Sequence, residues 1–497
     1  MIRHLSLGIA LCAIGAQASA QISFNGPVNY ATGPQSDATA AGDFNNDGRL
    51  DLATSSDQPD KVVIFTNNGA GAFSQSATVQ TGGGTSPHTP VAGDLDGDGD
   101  VDIAVSLKNT NQVRILVNNG GAFTLGPVFS VGAEPRTMAI ADIDNDGDLD
   151  LAVSNRSGNT VSVLRNGGSL AFTVQSYQAG IEPRSIALGD VTGDGLADLA
   201  IAAHDSSAVI VLGNIGGGAF APIATINLGN KPEGIAIARF NGDALNDIAT
   251  TVSNNNLEFV SVILSLGNGA FGGPNSFPTG GLDSGFIAAA DLDNDGDTDV
   301  ATANTDSANI SLLAGNGLGG LGAAQQIGVG TEPSHVIAAT LDANSSPDLV
   351  VTNEASANIS VLLNQSSGNG CDAHTYCQAK LTSIGTLPSI GFTGTPSVSA
   401  QNFVITLSNG APNKPSLGLF SQTGASNSPF QGGTLCLAAP VQRLPGQLIS
   451  AQGTAAYSIP VSGPMVGTSR WFQFWFRDTQ ASFGSGLSNG LSVTFCQ

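Results

Sequence analysis

The 497-residue chain contains few charged side chains, and basic ones are especially scarce. Lysine and arginine contribute 16 residues against 39 acids, which gives a formal net charge of −23 although only 11% of the residues are charged. This scarcity argues against nucleic acid as a partner, because phosphate binding depends on lysine and arginine. A hydrophobic content of 41% and 65 glycines exclude a chain that is disordered by its charge.

Long hydrophobic runs are also missing from most of the chain. Beyond residue 20 no stretch reaches the roughly 18 apolar residues that span a bilayer, so we expect no transmembrane segment. Residues 1–20 combine Arg3, an apolar stretch from Leu5 to Ile14 and small residues at the end, which predicts a secretory signal peptide. The mature protein is therefore expected to be secreted or displayed at the cell surface.

Aromatic residues make up only 6% of the chain, and cysteine occurs five times. Four of the cysteines fall in the last quarter of the chain, and an even number in an exported protein predicts two disulfides with three possible pairings. They are Cys371, Cys377, Cys436 and Cys496. Short alternating apolar runs predict that residues 371–497 form a small β-sandwich, which a linker at residues 365–370 joins to the preceding part.

What the chain has in abundance is an internal repeat. Seven similar acidic segments begin 48 to 52 residues apart, at Asp43, Asp94, Asp142, Asp190, Arg239, Asp291 and Thr340. Between these segments each copy has four short apolar or alternating runs, which are separated by polar turns and a glycine-rich hairpin. Four strands at this period are typical of one blade of a propeller. Residues 21–364 are therefore predicted to form an all-β, seven-bladed β-propeller.

The two ends of the repeat array complement each other. The last copy stops at NISVLLN, residues 358–364, and lacks its fourth strand, whereas the mature N-terminus begins with ISFNGPVNYATG, which resembles that strand. We expect the N-terminal strand to pair with the last copy, because this closes the ring and removes exposed sheet edges.

The acidic segments follow the pattern D-x-[DNT]-x-D-G-x-x-D, whose positions we number 1 to 9. Side-chain oxygens occupy positions 1, 3, 5 and 9, position 7 offers a main-chain carbonyl, and the glycine at position 6 permits a sharp turn. Carboxylates about 4 Å apart repel each other by roughly 4 kcal/mol per pair at an effective dielectric of 20. A bound cation removes this cost, and hard oxygen ligands in a flexible loop favour Ca²⁺.

The array resembles the FG-GAP/VCBS repeat family, which includes the propeller of integrin α-subunits and many exported bacterial proteins. The resemblance covers residues 22–364 and implies a seven-bladed propeller with Ca²⁺ loops between the first and second strands of a blade. It implies about five calcium sites. Their residues are Asp43, Asn45, Asp47, Arg49 and Asp51; Asp94, Asp96, Asp98, Asp100 and Asp102; Asp142, Asp144, Asp146, Asp148 and Asp150; Asp190, Thr192, Asp194, Leu196 and Asp198; and Asp291, Asp293, Asp295, Asp297 and Asp299.

Two copies depart from the pattern. In the fifth, Arg239 replaces the first acid and Ala244 the glycine, which suggests that the guanidinium takes the cation's place beside Asp243 and Asp247. The seventh retains two acids and has Ser345 in place of the glycine. We expect both of these loops to be empty, and we expect the ions in the others to stabilise the blades rather than to catalyse a reaction.

Polar loops on the opposite face of the ring are candidate ligand-binding elements. They carry Arg136, Arg156, Arg184, His204 and His335, and their asparagines and serines suit a glycan or a cell-surface protein. In the C-terminal region, strand alternation in RWFQFWFRD places Trp471 and Trp475 on one face, where they could stack on sugar rings. The opposing interpretation is a strand buried on both sides.

No catalytic motif stands out, so we expect a binding or adhesion module, with carbohydrate or a cell-surface protein as the partner. Two alternatives stay open. The first is a carbohydrate-active enzyme of the polysaccharide lyase or sugar dehydratase type, which a deep axial pocket with convergent His, Tyr or Arg would favour. Shallow repeated pockets between blades would favour a lectin. The second alternative is a passive structural surface protein.

Overall fold

A computed structural model describes most of the repeat array and parts of the C-terminal region. The described residues are 22–254, 257–344, 346–366, 373–376, 389–393, 404–408, 415–421, 425–430, 433–437, 441–450, 454–459, 469–477 and 485–494. Among them are β-strands and one 3₁₀ turn, and none lies in an α-helix. No helix in these ranges is long and apolar enough to cross a bilayer. The predicted signal peptide lies outside them.

Seven antiparallel sheets of four strands follow one another along the repeat array, and we number them 1 to 7 in the order of their acidic loops. The first strand of the chain, β1 (Val28–Ala31), belongs to sheet 7. Sheet 1 contains β2 (Thr39–Gly42), β3 (Asp51–Asp57), β4 (Asp60–Asn67) and β5 (Phe73–Gln80). Sheet 2 contains β6 (Pro87–Gly93), β7 (Asp102–Leu107), β8 (Gln112–Val117) and β9 (Thr124–Ser130). Sheet 3 contains β10 (Pro135–Ala141), β11 (Asp150–Asn155), β12 (Thr160–Asn166) and β13 (Phe172–Gln178).

The remaining four sheets repeat this plan with small additions. Sheet 4 contains β14 (Pro183–Gly189), β15 (Asp198–Ala203), β16 (Ala208–Asn214) and β17 (Phe220–Asn227). Sheet 5 contains β18 (Lys231–Ala238), β19 (Asp247–Asn254), β20 (Leu257–Ile263) and β23 (Asn275–Pro278), with a hairpin of β21 (Ser265–Gly267) and β22 (Ala270–Phe271) inserted. Sheet 6 contains β24 (Ser284–Ala290), β25 (Asp299–Asn304), β26 (Asn309–Leu313) and β27 (Gln325–Gly328), with the 3₁₀ turn at Thr305–Ser307. Sheet 7 contains β28 (Pro333–Ala339), β29 (Asp348–Asn353), β30 (Asn358–Leu362) and β1.

The sheets form a closed ring. The first strand of each sheet contacts the first strand of the next, and β28 of sheet 7 contacts β2 of sheet 1. The N-terminal strand β1 pairs with β30, with Val28 opposite Val361 and Ala31 opposite Asn358, so the predicted pairing of the chain's N-terminal strand with the last copy is confirmed. Together these observations confirm the predicted all-β propeller.

The hydrophobic core lies between neighbouring sheets rather than in one central cluster. All six residues of β7, β11 and β15 are buried, because each second strand is covered on both faces by the adjacent sheets. The fourth strands β9 and β13 are mostly exposed and form the outer edge. Where sheets 1 and 7 meet and close the ring, Leu52 and Phe65 of sheet 1 belong to the same hydrophobic cluster as Val350 and Val361 of sheet 7.

An asparagine at the end of the third strand fastens each of five sheets to the sheet before it. In sheet 2 the Asn118 amide donates to the Phe44 carbonyl of the preceding loop at 2.9 Å and to the Val101 carbonyl of its own loop at 3.0 Å. The equivalent bonds to the preceding sheet come from Asn67, Asn166, Asn214 and Asn364 at 2.7 to 2.8 Å. Sequence reasoning missed this contact, although the asparagine recurs at the same place in these copies.

We expect Asn118→Ala to lower the free energy of unfolding by about 1–3 kcal/mol, because it leaves buried carbonyl groups without a hydrogen-bond donor. Urea unfolding of the purified protein measures this. The matched control is Asn119→Ala, since the neighbouring asparagine is exposed and its loss should change stability by less than about 0.5 kcal/mol. Equal effects of the two substitutions would contradict the role given to Asn118.

The C-terminal strands form three separate sheets. A five-stranded sheet has the order β31 (Ala373–Tyr376), β40 (Ser485–Thr494), β39 (Ser469–Arg477), β34 (Pro415–Ser421) and β37 (Val441–Leu448). A three-stranded sheet joins β32 (Ser389–Thr393), β33 (Val404–Ser408) and β38 (Ala455–Ser458), and β35 (Ala425–Phe430) pairs with β36 (Gly433–Leu437). The rings of Tyr457 and Phe474, on different sheets, lie 5.3 Å apart.

Within β39 the side chains of Phe472, Phe474 and the intervening Gln473 are all buried, so both faces of this part of the strand are covered, as in the opposing interpretation above. The side chains of Trp471 and Trp475 lie outside the described part of the structure. So do Cys371, Cys377, Cys496 and the side chain of Cys436, and the two disulfides stay a prediction.

Candidate functional site

The acidic loops connect the first and second strands of sheets 1 to 7. Because the strands are antiparallel, these loops lie at one face of the ring, and the turns that enter each first strand lie at the opposite face. The aspartate at position 1 shapes each intact loop by accepting backbone N–H groups. Asp142, for example, accepts from Asp146 at 3.2 Å and from Gly147 at 3.1 Å. Gly147 has a φ of 99°, which explains the need for glycine at position 6.

In three loops the carboxylates converge. Ligand oxygens of Asp94, Asp96 and Asp102, of Asp142, Asp144 and Asp146, and of Asp291, Asp293 and Asp295 lie within 4.8 Å of one another in each group. Both carboxylate oxygens of the fully buried Asp293 lack a hydrogen-bond partner, and so does one oxygen of Asp144. Burial and the neighbouring Asp295 and Asp291 raise the pKa of Asp293 to about 7. Buried, unsatisfied oxygens in such a group suit a hard divalent cation.

Position 9 has a further role that the sequence did not reveal. Its aspartate is fully buried in all seven copies, including the two degenerate ones. Asp150 accepts the N–H of Ile143 at 2.8 Å through one oxygen and that of Asn166 at 2.6 Å through the other. Asp348 makes the equivalent bonds to Leu341 and Asn364 in the seventh copy. This aspartate therefore ties the loop to the third strand whether or not the loop fits a cation.

The fifth loop differs from the expectation. Arg239 is exposed and, within the described residues, has no carboxylate within 4.0 Å, so its guanidinium does not take the cation's place beside Asp243 and Asp247. Instead, the amide of Asn241 donates to Asp243 at 3.0 Å. In the seventh loop Asn344 likewise donates to Asp342 at 3.1 Å. In both loops an amide hydrogen-bonds to a carboxylate, whereas the third and sixth loops leave oxygens of Asp144 and Asp293 without a partner.

The raised pKa values give the metal-free protein a specific pH dependence. Burial, together with Asp293 and Asp295, raises the pKa of Asp299 to about 8, whereas the unfolded value is near 3.9. Through Asp299 the folded chain thus binds more protons than the unfolded chain between about pH 4 and pH 8, so the contribution of this group to stability falls as the pH rises through this range. We expect the melting temperature in EDTA to be higher at pH 5 than at pH 8.

Thermal unfolding in EDTA at the two pH values tests this. Asp293→Asn should reduce the difference, because it removes one of the repelling carboxylates, whereas Asp342→Asn in the seventh loop should leave it nearly unchanged. A melting temperature that rises with pH in EDTA would show that these carboxylates are not held together.

The opposite face carries a polar pocket at the mouth of the central channel. Its volume is about 170 Å³, and its lining comes from all seven sheets or their connecting loops: Asp37, His88, Arg136, Arg184, Glu233, Asp283, Gly285, Phe286, Thr305, Ser334 and Glu354. We call it the axial pocket.

Seven of the lining residues are equivalent by position in the repeat. They lie six residues before the seven acidic segments, at Asp37, His88, Arg136, Arg184, Glu233, Gly285 and Ser334. In sheets 2 to 7 this residue falls where the pairing of the first and second strands shifts register, for example between Pro135 and Met138. Such irregularities re-aim a side chain. The fold therefore brings one variable residue per sheet to the axis.

Hydroxyl groups from the neighbouring sheet donate hydrogen bonds to the backbone of several of these residues. Ser106 donates to the Arg136 carbonyl at 2.7 Å, and Thr251 donates to the Gly285 carbonyl at 2.6 Å. Ser334 donates to the Asp37 carbonyl at 2.8 Å across the ring closure. The backbone around the axial pocket is thus fixed before any ligand binds.

An ion-pair network occupies one side of the pocket mouth. Arg156 contacts Glu134 at 3.1 Å, and Arg184 contacts Glu182 at 2.9 Å and also pairs with Glu233. The His204 ring faces carboxylates through both nitrogens, with Asp205 at 2.8 Å and Glu233 at 3.1 Å. Lys231 pairs with Asp205 as well.

Next to this network the pocket holds His88 and Arg136. The Nε of Arg136 donates to Nε2 of His88 at 3.3 Å, and Nδ1 of His88 lies 3.0 Å from the Thr89 hydroxyl. Burial, reinforced by Arg136, lowers the pKa of His88 well below its usual value, so the ring is neutral. Burial, with Asp57 and Glu354 nearby, raises the pKa of Asp37 well above its usual value.

Of the five predicted ligand-binding residues of the propeller, Arg136 and Arg184 line the pocket, and His335 contacts the lining residue Phe286, with ring centroids 4.8 Å apart. Arg156 and His204 lie in the ion-pair network. Sequence reasoning did not select the other lining residues as site residues. Their common feature in the sequence is a fixed spacing of six residues before each acidic segment. A search for similarity between copies does not find this position, because its residue differs from copy to copy.

The fold and the two faces define a β-propeller with acidic loops at one end and an axial pocket at the other. Overlapping matches to the FG-GAP-like repeat cover residues 43–105, 94–153, 142–201, 190–250 and 239–302, just over half of the chain. The chain therefore belongs to the FG-GAP-like repeat family, which confirms the resemblance. No curated protein matches it.

Several solved structures are similar to this chain at low sequence identity. BBS1N, crystallised in complex with ARL6DN, has 13% sequence identity and a TM-score of 0.50, and the match covers 69% of this chain and 98% of that one. A protein from Lactobacillus plantarum has 19% identity and a TM-score of 0.47, with coverages of 62% and 89%. The periplasmic gluconolactonase PpgL of Pseudomonas aeruginosa has 17% identity and a TM-score of 0.45, with coverages of 60% and 86%.

Proposed function

We propose that the protein is an exported, calcium-stabilised propeller that acts as a carbohydrate-binding module, with the axial pocket as its ligand site. The observation that carries the proposal is the convergence of one variable residue from every sheet on a single preformed pocket. These seven positions carry different types of residue (Asp, His, Arg, Arg, Glu, Gly and Ser), whereas the neighbouring strands are similar from copy to copy. Concave polar sites of this kind are the usual places for small ligands.

Calcium would be held by the five intact loops, through side-chain oxygens at positions 1, 3 and 5, with those at position 9 and the position 7 carbonyls completing the set. When bound, it neutralises the clustered carboxylates. The loops lie at the face opposite the axial pocket and carry no histidine, cysteine or serine beside the carboxylates. This arrangement supports a stabilising role for the ions.

The size and lining of the pocket favour a sugar over a protein partner. A cavity of about 150 Å³ holds one benzene-sized ring, and the axial pocket at about 170 Å³ suits one sugar unit. The Phe286 ring offers an apolar surface beside polar groups, which is the combination that a sugar's C–H face and hydroxyls require. The pocket lies on the axis rather than between blades, which is the placement that the sequence analysis associated with an enzyme rather than a lectin, so an enzyme is the second candidate below.

A glycan array in calcium tests the proposal with a pocket-filling variant. A Cβ added at Gly285 would lie no closer than 3.9 Å to its neighbours, so Gly285→Leu fills the pocket without straining the backbone. The matched control is Gly328→Leu, which adds the same side chain on the exposed strand β27. We expect Gly285→Leu to abolish glycan binding and Gly328→Leu to retain it. A blank array, or equal binding by both variants, would contradict the proposal.

A second candidate is an enzyme that acts on the bound sugar. It is favoured by the placement of His88, whose Nε2 lies 3.7 Å from the Asp37 carboxylate, because an imidazole and a carboxyl group in one pocket are groups that general acid–base catalysis uses. Incubating any array ligand with the protein and with His88→Ala, followed by mass spectrometry, separates the two functions. An unchanged ligand supports the binding module, and conversion that requires His88 supports the enzyme.

A further inference from the structure

The arginines around the axial pocket differ in their partners. Arg156 and Arg184 each contact two glutamates. Arg136, by contrast, has no carboxylate within 4.0 Å among the described residues, and its one side-chain partner is the neutral ring of His88. A partly buried guanidinium without a counter-ion is costly unless an anion joins it.

The neighbours of Arg136 make its charge more costly still. Burial and the nearby Arg156 and Arg184 lower its pKa, while Glu233 and Asp37 act in the opposite direction. Because Glu233 is held by Arg184 and His204, it is not free to turn toward Arg136. The five-donor fork of a guanidinium matches a carboxylate geometrically.

The remaining polar lining suits hydroxyl groups. Asp37, Asp283 and Glu354 line the pocket, and burial raises the pKa of each. When protonated they no longer repel an anion and they donate hydrogen bonds, and when ionised they accept them from hydroxyls. Small residues, Gly285 and Ser334, stand at the equivalent positions in sheets 6 and 7. In a ring of seven these two sheets lie across the axis from Arg136 in sheet 3 and leave space there for a ring-shaped ligand.

We infer that the axial pocket binds a sugar acid of monosaccharide size, with its carboxylate on the Arg136 guanidinium and its hydroxyls on the acidic side chains. This inference rests on the proposed carbohydrate-binding function and names the ligand class of the same site. Arg136 is the residue that sets the preference for an acid over a neutral sugar, and His88 positions it by accepting its Nε–H.

Three sugars of similar size that differ in charge provide the test: glucuronate, glucose and glucosamine. Titration of the full chain in calcium, followed by calorimetry, is expected to show glucuronate binding at least 10-fold more tightly than glucose, with glucosamine weakest. Arg136→Gln should weaken glucuronate binding at least 10-fold, so that glucuronate no longer binds more tightly than glucose. The control is Arg239→Gln, which makes the same change of charge at an exposed arginine on the opposite face and should leave all three affinities unchanged.

The outcomes separate this inference from the proposal on which it rests. Equal binding of glucose and glucuronate, or tighter binding of glucosamine, overturns the carboxylate assignment but keeps a sugar site. If acetate displaces glucuronate at equal concentration, the pocket recognises the carboxylate alone and gains nothing from the sugar hydroxyls, and the sugar-acid assignment is wrong. If neither these sugars nor the glycan array shows binding to the folded wild type, the proposed function itself fails. Melting temperatures of both variants in calcium establish that they are folded.

Discussion

In excess EDTA the protein is expected to unfold about 10 °C or more below its melting temperature in calcium. Each site adds about 2.7 kcal/mol to stability when calcium is present at 100 times its dissociation constant, and five such sites together exceed the stability of many whole domains. The structural basis is the group of loops in which carboxylate oxygens converge within 4.8 Å. Differential scanning fluorimetry with added calcium, magnesium or chelator measures the shift.

Two matched variants make this prediction specific to the loops. Asp144→Asn removes a carboxylate with an unsatisfied oxygen from the third loop and should reduce the calcium-dependent shift. Asp342→Asn alters the seventh loop, where Asn344 already donates to the carboxylate, and should not. Metal analysis of the purified protein is expected to give five calcium ions per chain and four in Asp144→Asn. An unchanged melting temperature in EDTA would remove calcium from the proposed function.

Replacing the buried aspartate at position 9 is expected to be strongly destabilising even without calcium. Asp348→Ala in the degenerate seventh loop removes acceptors for the N–H groups of Leu341 and Asn364, at 2.8 and 2.7 Å. Hydrogen bonds to a charged group contribute about 1.5–3 kcal/mol each, so we expect a loss of about 3–5 kcal/mol. Urea unfolding in EDTA measures it.

The comparison with Asp150→Ala in an intact loop separates the two roles of this position. Both variants should lose a similar amount in EDTA, because Asp150 makes the same pair of backbone bonds. In calcium only Asp150→Ala should show a further loss. Asp342→Ala, at a half-buried position of the seventh loop, is the control for removing a carboxylate and should cost less than about 1 kcal/mol. A small effect of Asp348→Ala would mean that position 9 serves only as a metal ligand.

The repeat made the fold predictable. Regular spacing, four strands per copy and complementary ends led to the propeller and to the pairing of β1 with β30. The convergence of carboxylates within one loop could also be predicted, because positions 1, 3 and 5 are close in sequence. The structural role of position 9 could not be predicted in this way, because the partner of Asp150, Asn166, lies 16 residues away in the sequence.

The axial pocket escaped sequence reasoning for a different reason. Its lining residues lie about one repeat apart, and they meet only because the ring closes and the first strands shift register. Arg136 and Arg184 were selected as members of polar loops, but their difference in pairing depends on Glu182 and Glu233. The error at Arg239 had a local cause: charge alone suggested a substitute cation, whereas the shorter Asn241 amide reaches Asp243.

The pairing of β1 with β30 has a consequence for the order of folding. The residues that close the ring, Val28 and Val361, are separated by nearly the whole array, whereas strands within a sheet pair over short distances. Local sheets can therefore form early, and closure comes last because its loop is the longest. Until the final copy has been synthesised, β1 has no partner strand and presents an open edge of the kind that recruits other chains. The N-terminal strand thus stays unpaired while the roughly 330 residues between β1 and β30 are synthesised.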